Sequence, residues 1–268
     1  MRRLAALALF VLLVAAWPGP PGRAAPPVPT HDLAAHHALY TLSLDSARGD
    51  VIAASGTMAY EVIDACDGWA TRQLLAMTLT NRDGQDVRMR SDYSTWESKD
   101  GLHLRFHMRQ TTDQDVTSDI AGSASLTRPG GPGEVRYTLP KPRTAALPPG
   151  TLFPMTHTAA ILAGAQAGKK FLAIPLFDGT ADNGAQDSAV TVTAVNPPMP
   201  GKWPALAGLP SDRVHIAFFD RAPATMEPDY EVGMRYWANG VADDLRMNFG
   251  DFVMTGALTE LKMAKPGC

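Results

Sequence analysis

The chain has 268 residues, with 24 lysines and arginines against 27 aspartates and glutamates, and its formal net charge is −3 at pH 7. Because charges of both signs are interspersed, the sequence offers no basic face for nucleic acid and no acidic tail. Charge therefore excludes nucleic acid as the expected partner.

The N-terminal segment has the features of a secretory signal. Two arginines at positions 2 and 3 precede an apolar run from Leu4 to Trp17, which is shorter than the about 20 apolar residues that a membrane span needs. A proline- and glycine-rich stretch follows, with a small-residue site at which we expect cleavage after Ala24. An uncleaved N-terminal anchor is the alternative.

The rest of the chain has the composition of one globular domain. Removal of residues 1–24 as a signal peptide leaves residues 25–268, about 240 residues, which is enough to bury a full core. No later segment resembles a stop-transfer sequence. We therefore expect a mature chain that is soluble in an oxidising compartment and does not span a membrane.

Apolar and polar residues alternate with a period of two through most of this domain, as in half-buried β-strands. Turn signals such as "NRDG", "SKDG", "RPGGPG" and "WANG" separate about a dozen candidate strands. The apolar residues that share a face are, in chain order, Tyr40/Leu42/Leu44, Met58/Tyr60/Val62, Leu75/Met77/Leu79, Leu102/Leu104/Phe106/Met108, Val135/Tyr137/Leu139, Val190/Val192, Val214/Ile216/Phe218, Tyr230/Val232/Met234/Tyr236 and Leu245/Met247/Phe249. An all-β sheet this long must close or split into two layers to avoid exposed edges, and we favour a barrel-like closure over a sandwich.

One segment, residues 152–171, breaks the alternation with a run of small residues, "LFPMTHTAAILAGAQAGKKF". Thr156 or Thr158 is expected to cap a helix that runs to about Ala167 and stops at Gly168. Because this helix presents little polar surface, it should pack into the mouth of the barrel or against one side of it.

No arrangement of residues in the sequence predicts catalysis or metal binding. His103 and His107 share one face of a strand, but they are about 13 Å apart in an extended chain, which is too far to share one ion. We expect His157 to pack in the core or cap the helix, and Asp243 and Asp244 to lie in a loop. Motifs for serine hydrolases, zinc proteases and phosphate loops are missing. The sequence therefore predicts no enzyme, no cofactor and no metal.

The two cysteines are Cys66, in "ACDGW", and Cys268, the last residue of the chain. In an oxidising compartment they are most simply explained as one disulfide, and such a bond would clamp the last strand to an early one. Two free buried thiols and an intermolecular bridge are the alternatives.

Several segments in combination resemble the signature of the envelope integrity protein B (EipB) family, a periplasmic family of Alphaproteobacteria long classed as a domain of unknown function. The segments are HHALYTLSL (36–44), EVIDACDGW (61–69), STWESKDG (94–101), PGTLFPMTH (149–157), LFDG (176–179) and YEVGMRYWANGVADDLRMNFGDF (230–252). The resemblance covers essentially the whole mature chain. It implies an all-β fold, an antiparallel β-spiral that overlaps itself instead of closing cleanly, with one short α-helix. It also implies a family disulfide onto which Cys66 and Cys268 map, and a role in envelope integrity under stress without an established catalytic activity.

From these observations we expect a non-catalytic periplasmic protein that acts by binding other envelope proteins. The alternative is a carrier or sensor of a lipid or other hydrophobic ligand. The barrel interior distinguishes the two, because a carrier needs a continuous apolar cavity of a few hundred cubic ångströms, whereas the interior of a scaffold can be filled by side chains and the helix.

Overall fold

The computed structural model describes residues 30, 32–221 and 227–265, so the predicted signal peptide lies outside the described residues. Within these ranges the chain forms fourteen strands and one helix. In chain order they are β1 (His36–Ala47), β2 (Val51–Asp64), β3 (Gly68–Asn81), β4 (Asp86–Ser98), β5 (His103–Thr112), β6 (Asp115–Leu126), β7 (Gly133–Leu139), β8 (Arg143–Leu147), α1 (Pro154–Gln166), β9 (Phe171–Leu176), β10 (Gln186–Asn196), β11 (Ser211–Phe219), β12 (Tyr230–Trp237), β13 (Ala242–Asn248) and β14 (Phe252–Met263). In this part of the chain, no helix has the length and apolar character to cross a bilayer.

All fourteen strands belong to one antiparallel sheet, in which strands that are consecutive in the chain lie side by side, except β8 and β9. The last strand, β14, pairs with the first, β1, so the two ends of the domain meet in the sheet. The edge strands are β8 and β9, which are consecutive strands separated in the chain by α1. The gap in the sheet therefore lies between β8 and β9, in the middle of the domain sequence, and the first and last strands, β1 and β14, are paired.

The two edges of the sheet approach each other without forming a ladder. Leu152, between β8 and α1, makes an isolated parallel bridge to Leu176 of β9. Its amide donates to the Pro175 carbonyl over 2.9 Å, and its carbonyl accepts from the Phe177 amide over 3.0 Å. The expected all-β, antiparallel β-spiral, an overlapping and imperfectly closed barrel with one short helix, is confirmed.

Alternation along the strands determines which face of the sheet is buried. On β1 the side chains of His36, Ala38, Tyr40 and Leu42 are buried, and the residues between them are less buried or exposed. The inner faces of β10, β11, β13 and β14 repeat this pattern and pack with β1 into the main core. The period-two interpretation of these segments is therefore correct.

Helix α1 occupies the predicted segment but lacks the predicted cap. Its N-cap is Phe153, which makes no capping bond with its side chain, and Pro154 follows as the first helical residue. Thr156 and Thr158 lie inside the helix, so the expected cap by either threonine is wrong. Gly168, with a φ of +75°, ends the helix as predicted. In this left-handed conformation its backbone N–H donates a hydrogen bond to the Ala165 carbonyl in the last turn.

The helix packs across one end of the barrel interior. Its side chains join two buried clusters, one around Trp69 at the start of β3 and the other forming the main core. The apolar helix residues that are buried are Met155, Ala159, Ile161, Leu162 and Ala165. Ala163 is exposed, so the helix retains a narrow solvent-facing stripe.

Candidate functional site

The histidines considered for metal binding lie on the outside of the barrel. His103 and His107 are exposed on β5, and His107 Nε2 lies 2.9 Å from an Asp119 carboxylate oxygen. The same carboxylate binds Arg109 over 2.7 Å. Among the residues that the structure describes, no three histidine, cysteine, aspartate or glutamate side chains are grouped so that they could hold a metal ion.

Asp243 and Asp244 lie in β13, not in a loop as expected from the sequence. The buried carboxylate of Asp243 accepts two hydrogen bonds from Arg235, at 2.6 and 2.7 Å. Asp244 accepts a hydrogen bond from Arg213 over 2.8 Å. Arginines of β12 and of β11, the next strand beyond it, thus compensate these two charges, which explains why β13 accommodates them.

His157 meets a potential nucleophile, since its Nε2 lies 2.8 Å from the Ser188 hydroxyl oxygen. The Ser188 hydroxyl donates to the Ile174 carbonyl over 2.8 Å, so the proton in the His157–Ser188 hydrogen bond comes from the imidazole. Burial lowers the pKa of His157 to about 4. Both side chains are buried, and the pair is a hydrogen-bonded core contact.

Cys66 lies in the turn between β2 and β3 with a φ of +68°, and its amide donates to the Asp64 carboxylate over 3.1 Å. Cys268 is outside the described residues. The pairing of Cys66 with Cys268 therefore stays a prediction.

A cavity of about 370 Å³ lies inside the barrel. Ligand pockets in proteins occupy roughly 300–1,000 Å³, so this volume accommodates a small ligand. Its walls are the inner faces of β1, β2, β3, β12 and β13, with the end of β11, and α1 borders one end. Side chains therefore do not fill the interior of this half of the barrel.

The cavity follows β12 from one end of the strand to the other. Tyr230, Val232, Met234 and Tyr236 all line it, because alternate residues of a strand share one face. A step of six residues along an extended strand spans about 20 Å. The cavity is therefore elongated in the direction of the strands.

The two ends of the cavity differ in chemistry. At the end far from α1, which we call the aromatic end, the ring centroid of Tyr230 lies 5.9 Å from that of Phe218 and 5.3 Å from that of Phe249. The opposite end, which we call the helix end, has side chains that carry hydrogen-bonding groups. These are His36, Tyr60, Gln73, Thr158 and Tyr236.

The cavity wall is uncharged. Among the described residues, no lysine, arginine, aspartate or glutamate lines it. Burial raises the pKa of Tyr60 and of Tyr236, so both side chains remain neutral phenols at physiological pH. Because an unpaired charge is costly in such surroundings, the cavity favours a ligand whose buried part is uncharged and mostly apolar.

A buried carboxylate holds α1 at the helix end. Glu97 of β4 is 0% exposed and accepts hydrogen bonds from the Met155 amide over 2.7 Å, from the Thr156 amide over 2.9 Å and from the Thr156 hydroxyl. It thereby caps the first turn of α1, the role that the sequence prediction assigned to a threonine. The sequence holds no signal that identifies Glu97, because the buried residues of β4 are polar and no apolar alternation marks its inward face.

Comparison with known proteins yields one consistent group of relatives. A family model described as EipB-like matches residues 28–265. The cell envelope integrity protein EipB of Brucella abortus (strain 2308) is 30% identical over 244 residues, which cover 88% of this chain and 86% of that protein. The crystal structure of a beta-barrel-like protein of a domain of unknown function, DUF1849, from Brucella abortus matches with a TM-score of 0.79 at 28% identity, covering 87% of this chain and 99% of that chain.

Proposed function

Because the chain belongs to the EipB-like family, we propose that it supports the integrity of the cell envelope by binding an elongated apolar ligand, such as a lipid acyl chain, in its barrel cavity. The name of the Brucella relative supports the envelope role. The observation that supports a ligand is the uncharged cavity of about 370 Å³. No reaction is part of the proposal.

The cavity favours the ligand-binding alternative over the scaffold that we expected from the sequence. Each methylene group moved from water into an apolar site contributes about 0.8 kcal/mol, so a site about 20 Å long can hold a flexible chain by apolar contact alone. Methionines contribute to this wall, and their flexible side chains adapt to chains of different shape. Binding to other envelope proteins stays a prediction.

Filling the cavity should weaken the binding of a neutral apolar dye. Leu75 lines the cavity, and its neighbour Leu74 is 40% exposed on the outer face of β3. We expect Leu75→Trp to weaken the binding of N-phenylnaphthylamine at least about tenfold, because the indole occupies the space, and the control Leu74→Trp to change it less than about twofold. Fluorescence titration measures both affinities. Equal dye binding by the two variants, each folded, would contradict a ligand in this cavity.

The natural occupant can be identified from protein purified out of the periplasm. Native mass spectrometry followed by organic extraction should find an acyl-chain lipid with wild-type protein and much less of it with Leu75→Trp. Recovery of equal amounts from both proteins would indicate lipid adsorbed elsewhere on the surface.

We propose that residues 1–24 direct the chain to the periplasm. Alkaline phosphatase fused after residue 30 should be active, since this reporter needs an oxidising compartment to form its disulfides. Deletion of the apolar run from Leu4 to Trp17 should keep the fusion in the cytoplasm and inactive. Cell fractionation provides the second readout, and an active fusion after the deletion would refute this signal.

A further inference from the structure

One buried atom at the helix end of the cavity has no hydrogen-bond partner. His36 is 3% exposed and lines the cavity, and its Nε2 is one of two buried side-chain nitrogen or oxygen atoms without a partner in the described residues. The other, Trp237 Nε1, does not line this cavity. Buried polar atoms are normally paired, so an unpaired one beside a cavity is a candidate contact for a ligand.

The hydrogen bond of the other ring nitrogen, Nδ1, fixes the tautomer of His36 and makes Nε2 a hydrogen-bond acceptor. His36 Nδ1 donates to the Ala34 carbonyl over 2.7 Å, since a carbonyl oxygen only accepts. Burial lowers the pKa of His36, so the imidazole is neutral and Nε2 carries a lone pair. The Tyr60 ring centroid lies 6.0 Å from that of His36, and no charged side chain lines the cavity in the described part of the chain.

We propose that the cavity selects an amphiphile with an uncharged, hydroxyl-bearing headgroup, whose O–H donates to His36 Nε2 while the alkyl chain extends toward the aromatic end. This inference rests on the proposed function, because it specifies the ligand of the same cavity. Tyr60, Gln73 and Thr158 surround the headgroup position with further uncharged hydrogen-bonding groups. A free carboxylate is disfavoured there, since it has no proton to donate and no cation to pair with.

Three ligands of equal chain length test the headgroup. Dodecanol can donate a hydrogen bond, methyl dodecyl ether can only accept one, and dodecanoate is charged. In competition with N-phenylnaphthylamine on the full mature protein, we expect dodecanol to bind about five- to tenfold more tightly than the ether, which is the effect of one net hydrogen bond. Dodecanoate should bind at least about a hundredfold more weakly than dodecanol at pH 7.5.

Adjacent histidines supply the matched variants. His36→Leu should remove the difference between dodecanol and the ether, because the acceptor is lost while an apolar contact remains. His37→Leu should preserve that difference, since His37 does not line the cavity. If His36→Leu does not fold, the comparison of the three ligands on the wild-type protein still decides the question.

The outcomes separate this inference from the proposed function. Equal affinities for dodecanol and the ether, or tighter binding of dodecanoate, would overturn the headgroup assignment and leave an apolar ligand in place. Failure of the dye and of all three ligands to bind would overturn both.

Discussion

Replacing Glu97 by alanine is expected to lower the free energy of unfolding by about 3–4 kcal/mol. The carboxylate is the cap of α1, and without it the amides of Met155 and Thr156 lose their acceptor inside the protein. Each unpaired buried donor costs about 1–3 kcal/mol, and the vacated volume adds a cavity. Urea unfolding measures the loss, and hydrogen exchange at these two amides should locate it at the start of α1.

Glu97→Gln is the matched variant, because it keeps the shape of the side chain and removes its charge. We expect a loss of about 1–2 kcal/mol, since the amide oxygen still accepts while the amide NH₂ group faces donors. A comparable variant outside the cap is Glu134→Gln on β7, whose partner Arg136 is solvent-exposed, and this change should have an effect within about 0.5 kcal/mol. If Glu97→Ala is as stable as Glu134→Gln, the cap does not hold the helix.

Glu97 should also give the wild-type protein a characteristic dependence on pH. Burial raises its pKa from 4.5 to about 7, although the hydrogen bonds from Thr156 and Met155 act in the opposite direction. Between these values the folded protein holds a proton that the unfolded chain has released. This contribution to stability is therefore full below pH 4.5 and is lost as the pH rises to about 7, by up to about 3 kcal/mol.

The comparison of wild type with Glu97→Gln isolates that contribution, because the variant has no carboxyl group at this position. The difference in unfolding free energy between the two proteins, measured at steps from pH 5 to pH 8, should shift in favour of the variant as the pH rises. A difference that stays constant over this range would contradict the raised pKa.

The same carboxylate shows where interpretation of the sequence fails. Strands such as β1 and β13 are recognisable because their inward residues are apolar, and alternation reveals them. On β4 the inward positions include Thr95 and Glu97, so the apolar period is lost although the strand pairs fully with β3 and β5. Glu97 is tolerated there because backbone donors of α1, more than 50 residues later in the chain, form hydrogen bonds with it. The residues around Glu97 in the sequence do not indicate that contact.

The cavity was not predictable for a related reason. Its walls come from Tyr40, Met58, Leu75 and Met247, which alternate in the same way as residues that fill a core. Whether such side chains meet or leave space depends on the curvature of the whole sheet, and on how far α1 enters it. Alternation indicates which residues of these strands face inward, but it does not determine the distance across the barrel.

Breaking the predicted disulfide should have an effect of similar size to Glu97→Ala. Joining Cys66 to Cys268 closes a loop of about 200 residues, for which the chain-entropy model gives at most about 5 kcal/mol. We expect the mature protein to contain no free thiol, and Cys66→Ser, Cys268→Ser and the double variant to be weakened equally, by about 2–4 kcal/mol. Thiol titration under denaturing conditions and urea unfolding measure the two quantities.

The described strands support this pairing by bringing the two segments to the same end of the barrel. Met263 of β14 aligns with His36 of β1, which aligns in turn with Val62 of β2. Adjacent strands lie about 4.8 Å apart, so β14 and β2 are separated by about 10 Å across β1. The residues after Met263 number five, and at up to about 3.3 Å each they are long enough to reach the turn that contains Cys66.

Loss of the bond should act locally before it unfolds the whole protein. The described chain ends beside β1, where the Ala264 amide donates to the Ala35 carbonyl over 2.9 Å, and a chain terminus frays unless it is tied down. Without the disulfide, protease sensitivity and fast hydrogen exchange should appear first at Ala264 and then spread along β14. Because β14 joins β1 where the first and last strands meet, its release would open the sheet at a second place in addition to the gap between β8 and β9. Two free thiols in the native protein would refute the pairing. A single variant much less stable than the double variant would show that an unpaired thiol, and not the lost disulfide, causes the loss of stability.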